Sequence, residues 1–161
     1  MSQVLIVQAS YTNPVHAQAL RDVLNHYAQD PMGGAAALPV EVLEQLPGKL
    51  AKLPHAFSVL AFVDGQAAGL VNCFEGFSTF AGKPLVNVHD VSVMGNYRGL
   101  GLSQKMLDKV EMIARERGCC KITLEVLEDN PVAQRSYRKF GFSDGQLDPD
   151  HGRMLFWKKS L

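Results

Sequence analysis

The segment at residues 93–103 constrains the fold of this chain most, because a β-prone run passes through closely spaced glycines directly into a helical pattern. Gly99 and Gly101 leave room for a ligand against the backbone. The first amides of a helix lack partners within it, and the helix dipole adds positive potential there. Two interpretations fit: a site that binds the pyrophosphate of a ligand, or a tight turn from strand to helix.

The residues around these glycines limit the kind of phosphate site. No Gly-Lys-Ser/Thr follows, as a P-loop requires, and Gln104 stands where the dinucleotide fingerprint needs its third glycine. Arg98 supplies a permanent positive charge close by, and Ser103 supplies a hydroxyl. A different class of phosphate site is therefore indicated.

The length of 161 residues is that of one domain and no interdomain linker is evident, which predicts a single domain spanning residues 1–161. The pair Asp64-Gly65 predicts a hairpin, and Pro47-Gly48 is expected to interrupt the second helix. In the last strand, Trp157 is expected to be a core residue. We predict strands at residues 3–9, 57–63, 67–80, 85–94, 121–126 and 153–158, and helices at residues 14–28, 40–52, 102–117 and 131–140.

The composition argues against several functional classes. The 16 Lys and Arg residues balance 16 Asp and Glu residues, so no overall field attracts nucleic acid or an anionic membrane. No apolar run reaches the ~20 residues of a membrane span, and no secretory signal is evident. The cysteines Cys73, Cys119 and Cys120 form no CxxC pair, so we expect reduced, mostly buried thiols and no metal site. These features predict a soluble, cytoplasmic protein.

The sequence resembles the GNAT family of N-acetyltransferases in two motifs. The family signature reads Arg or Gln, two residues, Gly, one residue, then Gly or Ala. Residues 98–103 match it, with Ser103 as a mild departure, and residues 125–142 are similar to the second cofactor motif. Within the family, the pattern is most similar to the spermidine and diamine acetyltransferases.

The resemblance implies an α/β (α+β) fold with a mixed, mostly antiparallel central sheet and helices on both faces. Its third and fourth core strands splay apart to admit acetyl-CoA, with no metal. The pantetheine arm would lie beside residues 91–93 and the pyrophosphate on residues 98–103. By position, the implied cofactor-binding residues are Val91, Ser92, Val93, Arg98, Gly99, Leu100, Gly101, Leu102, Ser103, Asn130, Ala133 and Tyr137.

The resemblance also implies catalytic residues. Tyr137 stands where family members hold a tyrosine that protonates the departing thiolate; without the motif it would be interpreted as a packed helix residue. A protonated amine is not a nucleophile, so a base is required as well. His89 occupies the position of a glutamate in the diamine acetyltransferases, and it is equally interpretable as a hydrogen-bonded strand residue. Glu125 is the backup, and Asp90 and Glu75 are further candidates.

Together these features predict an acetyl-CoA-dependent N-acetyltransferase that acts on a primary amine by direct transfer. The expected partner is a small-molecule amine, with no nucleic acid or membrane, and a homodimer is possible. The alternatives are a protein or peptide N-acetyltransferase and a non-catalytic CoA-binding module. Residues 11–52, which would shape the acceptor pocket, carry no motif that specifies the acceptor.

Overall fold

The structure is a computed structural model that describes residues 1–143 and 155–161. Its strands and helices coincide with the sequence predictions to within a few residues, apart from the last strand. The strands are β1 (Val4–Gln8), β2 (Ala56–Val63), β3 (Gln66–Ser78), β4 (Lys83–Val93) and β5 (Ile122–Leu124), and the helices are α1 (Pro14–Gln29), α2 (Val40–Leu50), α3 (Leu102–Glu116) and α4 (Pro131–Phe140).

The strands form one sheet in the order β1-β2-β3-β4-β5 within the described residues. Strands β1 to β4 are antiparallel neighbours, whereas β5 runs parallel to β4. The turn between β2 and β3 has positive φ at Asp64 and Gly65, as a two-residue hairpin turn requires. The expected mixed, mostly antiparallel sheet is confirmed.

Helices cover both faces of the sheet, which confirms the predicted layers. On one face α1 buries Leu20 and Val23 against Leu60 and Leu70 of the sheet. On the other face α3 packs onto a cluster that includes Val59, Val71, Met106 and Val110. We call these the α1 face and the α3 face. Because successive side chains of a strand alternate, β1, β2 and β3 each contribute to both cores.

Helix α2 continues through Pro47, contrary to the expected interruption. Proline has no N–H, so it leaves the carbonyl four residues earlier, that of Leu43, without its helical partner. Arg21 of α1 supplies the missing donor, because its Nε donates to the Leu43 oxygen at 3.1 Å. A side chain from the neighbouring helix therefore stabilises a helix that local sequence alone would break.

Strand β4 carries a bulge and pairs with β5 over only a short stretch. Asn72 pairs with Asp90 and Cys73 pairs with Val88, so His89 is an additional residue in β4. The pairing of β4 with β5 covers only residues 86–88 of β4. Beyond Val88, β4 has no partner strand on this side within the described residues, and the expected splay of the third and fourth core strands stays a prediction.

The predictions of the last strand, of a buried Trp157 and of a buried Cys120 are wrong. The described part of the last predicted strand, residues 155–158, forms no strand, and residues 153–154 lie outside the described residues. A strand needs a pairing partner, and residues 155–161 are not part of the sheet that ends at β5. Trp157 is consequently 83% exposed rather than part of the core. Cys120 is also exposed, whereas Cys73 is buried and all three cysteines are free.

Candidate functional site

The loop at residues 98–101, called the glycine loop below, connects β4 to α3 through two left-handed glycines. Gly99 has φ of 84° and Gly101 has φ of 71°, a region that side chains other than glycine rarely adopt. A Cβ atom added at either position would meet no atom within 4 Å. Glycine is therefore required by the backbone, and the space beside it is open to a ligand.

The start of α3 presents unpartnered backbone donors next to this space. Gly101 is the N-cap and offers no side-chain hydrogen bond. The first helical bond runs from the Lys105 N–H to the Gly101 carbonyl at 3.2 Å, so the preceding three amides have no acceptor within the described residues. The Leu102 side chain is 2% exposed and anchors this turn in the core. The arrangement suits an anion that replaces the missing acceptors.

Two charged residues meet at the edge of the glycine loop. Arg98 is exposed, and its Nη2 lies 3.6 Å from Oδ2 of Asp30, the residue that caps the C-terminal end of α1. Leu100, the loop residue between the glycines, is also exposed. The guanidinium thus stands beside the open space, partnered by a carboxylate from the other side of the sheet.

The strand that leads into the loop has one free edge. Val91, Ser92 and Val93 pair with β3 on one side. On the other side the ladder to β5 ends at Val88, so these residues have no strand partner there within the described part of the chain. A free β edge offers backbone groups to an extended ligand. The sequence placed the pantetheine arm at this edge.

Helix α4 is attached to the start of α3 by hydrogen bonds that the sequence motifs did not predict. The Ser103 hydroxyl lies 3.1 Å from the Ser136 hydroxyl, and Gln104 Nε2 donates to the Ser136 carbonyl at 2.8 Å. Ser103 was expected to serve the phosphates with its hydroxyl. In the structure that hydroxyl also fixes α4 relative to the glycine loop.

Asn130, Ala133 and Tyr137 lie on α4 and in its N-cap. The Asn130 side chain accepts a hydrogen bond from the Ala133 N–H at 3.1 Å, so its amide oxygen already caps the helix. Tyr137 is half-buried and packs edge-to-face against Phe142. Burial raises the pKa of the Tyr137 phenol to about 12. The phenol is therefore protonated at neutral pH and able to donate.

The candidate bases occupy different faces of the sheet. His89, displaced by the β4 bulge, is exposed and lies edge-to-face against Phe74, which packs on the α1 core. Glu125 is also exposed and accepts from Asn87 Nδ2 at 3.3 Å. Glu75, by contrast, forms an ion pair with Arg117 at 3.1 Å. Within the described residues, His89 has no hydrogen-bonding partner.

A chain of buried polar side chains crosses the sheet to Asp90, and sequence reasoning missed it. The Tyr11 hydroxyl lies 2.8 Å from Ser58 Oγ, which donates to Asn72 Oδ1 at 2.6 Å. Asn72 Nδ2 then donates to Asp90 Oδ2 at 3.0 Å. The available signal was a serine and an asparagine within otherwise apolar strands, because buried polar groups need partners.

Helix α1 adds a phenol to the same region. Burial raises the pKa of Tyr27, and the carboxylates of Asp90 and Asp30 raise it further. The Tyr27 phenol therefore lies within electrostatic reach of both carboxylates. Tyr27 in turn contributes to the raised pKa of Tyr137. We call this region, beside the free edge of β4, the cleft, and its titratable groups come from α1, β4 and α4.

The described residues include further titratable groups and a cavity outside this region. Burial raises the pKa of the Cys73 thiol, so it is a poor nucleophile. A cavity of about 260 Å³ lined by Cys119, Ile122 and Phe142 lies beside the C-terminal half of α3, away from the glycine loop. In the described ranges, no group of three or more His, Cys, Asp or Glu residues could hold a metal, and no helix is long and apolar enough to cross a membrane.

Comparisons with known proteins identify a matching family profile and similar folds. The profile of the family described as "Acetyltransferase (GNAT) family" matches residues 20–142. Among solved structures, an aminoglycoside N-acetyltransferase in complex with CoA superimposes with a TM-score of 0.79 at 18% identity, covering 100% of this chain and 97% of that one. At that identity the likeness concerns the fold alone.

Curated relatives are similar over shorter segments. Thialysine N-epsilon-acetyltransferase of Mus musculus is 37% identical over 68 residues, which are 42% of this chain and 39% of the relative. Streptothricin acetyltransferase of Streptomyces lavendulae is 33% identical over 85 residues, 53% of this chain and 43% of the relative. The matched segments therefore span less than half of the length of either relative.

Proposed function

Because the chain belongs to the GNAT acetyltransferase family, we propose that it is an acetyl-CoA-dependent N-acetyltransferase that acts on a primary amine by direct transfer. The observation that carries this proposal is the combination of unpartnered amides at the start of α3 with a free edge on β4. The first feature suits a pyrophosphate and the second suits the amides of a pantetheine arm. CoA contains both groups in one molecule.

The residues fit the cofactor in charge as well as in shape. Open space at Gly99 and Gly101 admits phosphates to the backbone, and Arg98 adds a cation beside them. The free edge at Val91–Val93 is followed by a 3-10 turn at Gly95–Tyr97 and then by this loop, so an extended arm and its phosphates would follow the chain in order. Leu100, Asn130 and Ala133 complete the proposed contacts.

Catalysis would follow from the positions of His89 and Tyr137. Bound acetyl-CoA supplies an acetyl thioester, which an uncharged amine can attack. His89 is exposed, without a hydrogen-bonding partner in the described residues, and we assign it the role of accepting the acceptor's proton, directly or through water. Glu125, held by Asn87, is the backup base. Tyr137, protonated at neutral pH, would donate its proton to the sulfur that leaves.

A small-molecule amine is the proposed acceptor. The names of the curated relatives refer to acetylation of small molecules that carry amino groups. In this chain the α1 face beside β4 combines the aromatic ring of Phe74 with the Asp90 carboxylate, a suitable lining for a compact amine. A direct transfer needs no nucleophile from the protein, in agreement with the buried, protonated thiol of Cys73.

Acetyl-dependent thiol release with a panel of acceptors tests this proposal. The panel contains polyamines, amino acids, aminoglycosides and peptides with free amino termini, and longer acyl thioesters are compared with the acetyl form. We expect release with small primary amines. Release only with peptides would favour a protein N-acetyltransferase. A melting temperature raised by CoA without release with any acceptor would favour a non-catalytic CoA-binding module.

A further inference from the structure

Asp90 is a half-buried carboxylate whose charge has no cationic partner among the described residues. The ion pairs formed by the described residues join Arg98 with Asp30, Arg115 with Glu111 and Arg117 with Glu75, and none of them includes Asp90. A partly buried charge is costly unless it is paired or hydrogen-bonded. The only hydrogen bond to Asp90 within the described residues comes from Asn72 to Oδ2. Its other oxygen is left for a ligand.

The chain behind Asp90 is built inside the sheet. Ser58 is 1% exposed and Asn72 is 4% exposed, although both stand in strands that are otherwise apolar. Burying a hydroxyl and an amide is unfavourable unless each is satisfied, and no buried polar side-chain atom of the described residues lacks a partner. The two side chains therefore satisfy each other, and they end at the Asp90 carboxylate.

The hydrogen bonds that connect Tyr11 to Asp90 all donate in the same direction, toward Asp90. Since the Ser58 hydroxyl donates to Asn72 Oδ1, the Tyr11 hydroxyl must donate to Ser58. The amide of Asn72 is thereby oriented with Nδ2 toward Asp90. Tyr11, at the far end of this series of hydrogen bonds, lies in the loop between β1 and α1. The series therefore links the segment before α1 to β4.

We propose that Tyr11, Ser58 and Asn72 are positioning residues that hold the Asp90 carboxylate toward the cleft, where it binds the ammonium group of the acceptor. This inference rests on the proposed function and narrows its acceptor class. Aliphatic amines are cations at neutral pH and fit a carboxylate that forms no ion pair within the described residues and directly follows the exposed His89, whose ring contacts Phe74. Arylamines are uncharged at neutral pH and do not fit this carboxylate.

Steady-state kinetics with the best aliphatic amine of the panel tests the inference. Asn72→Ala is expected to raise the KM for the amine by roughly 10-fold or more, because it removes a hydrogen bond to a charged group. Ser58→Ala and Tyr11→Phe act at a greater distance and should raise it by roughly 3-fold each. The KM for acetyl-CoA should stay within about 2-fold of the wild-type value in all three variants, and kcat should change less than the amine KM.

Val59→Ala is the matched control. Val59 follows Ser58 in β2, is fully buried, and lies on the opposite face in the α3 core. It should lower the melting temperature and leave the amine KM unchanged. Three outcomes would overturn this inference and leave the proposed function intact. They are an unchanged amine KM in Asn72→Ala, equal rises in the KM values for the amine and acetyl-CoA, and the same rise of the amine KM in Val59→Ala. A wild-type protein that acetylates no amine overturns the proposed function and this inference with it.

Discussion

Arg98 Nη2 lies 3.6 Å from Asp30 Oδ2, so the arginine of the glycine loop is paired with the residue that caps the C-terminal end of α1. The pair joins the proposed cofactor site to the helix that lines the acceptor side. Phosphate oxygens would have to share the guanidinium with this carboxylate or displace it. Asp30 is therefore expected to weaken cofactor binding rather than to support it.

Asp30→Asn should lower the Kd for CoA, measured by calorimetry at low ionic strength. Because exposed ion pairs contribute at most about 1 kcal/mol, the expected change is up to roughly 5-fold. The difference should shrink in high salt, which screens exposed charges. Glu111→Gln, which removes the carboxylate of another exposed pair, should leave the Kd unchanged. Weaker binding by Asp30→Asn would contradict the competition between carboxylate and phosphate.

Gly101→Glu should abolish CoA binding without unfolding the protein. The new side chain would place a carboxylate among the free amides at the start of α3, where an anion is expected to bind. Gly118→Glu is the matched control, since Gly118 has φ of 72° against 71° for Gly101 and a Cβ at either position meets no atom within 4 Å. Both variants carry similar backbone strain. If both retained cofactor affinity, the glycine loop would be no more than a turn.

The bond from Arg21 to the Leu43 carbonyl predicts a non-additive pair of substitutions. Arg21→Met should destabilise the protein by about 1 kcal/mol, because it leaves the Leu43 carbonyl without a donor. In a Pro47→Ala background the alanine N–H can bond to that carbonyl within α2, so the same substitution should cost less. Urea denaturation of the four proteins gives the coupling free energy. Additive costs would show that Arg21 does not stabilise α2 in this way.

Local patterns in the sequence predict most of the fold because the signals that define its elements are themselves local. The start of α1 has Pro14 in its first turn, preceded by the Asn13 cap, and α3 and α4 end at the left-handed Gly118 and Gly141. Helix α2 differs, since its continuity through Pro47 depends on a donor from another helix. A pattern within residues 40–52 cannot contain that information.

The candidate site likewise contains residues that local sequence predicts and residues that only the tertiary structure brings together. The glycine loop and α4 are contiguous motifs, so the sequence alone brings Arg98 and Tyr137 to notice. Asp90, Asn72 and Ser58 come from three strands and meet only through the register of the sheet. The register includes a bulge at His89, and no residue in that strand predicts it from the sequence. Tertiary pairing therefore decides which polar residues share the acceptor side of the cleft.

Tyr137→Phe should separate a proton donor from a packing residue. The substitution keeps the ring that packs against Phe142 and removes only the hydroxyl. If the hydroxyl donates to the leaving sulfur, kcat should fall by about 100-fold or more, the range typical of a lost general acid. The Kd for CoA should change little, because the proposed cofactor contacts are mainly backbone groups. Tyr97→Phe, another half-buried tyrosine packed on the α3 core, is the control and should keep kcat.

The pH dependence gives the same prediction a second measurement. Burial raises the pKa of Tyr137 to about 12, so the donor form persists below that value and is lost only as the pH rises through it. The ratio of wild-type to Tyr137→Phe kcat should therefore stay constant from neutral pH to about pH 10. A ratio that fell toward one within this range would mean that the phenol ionises earlier than its burial predicts. A Tyr137→Phe enzyme with wild-type kcat throughout would instead assign the proton to water or to another group.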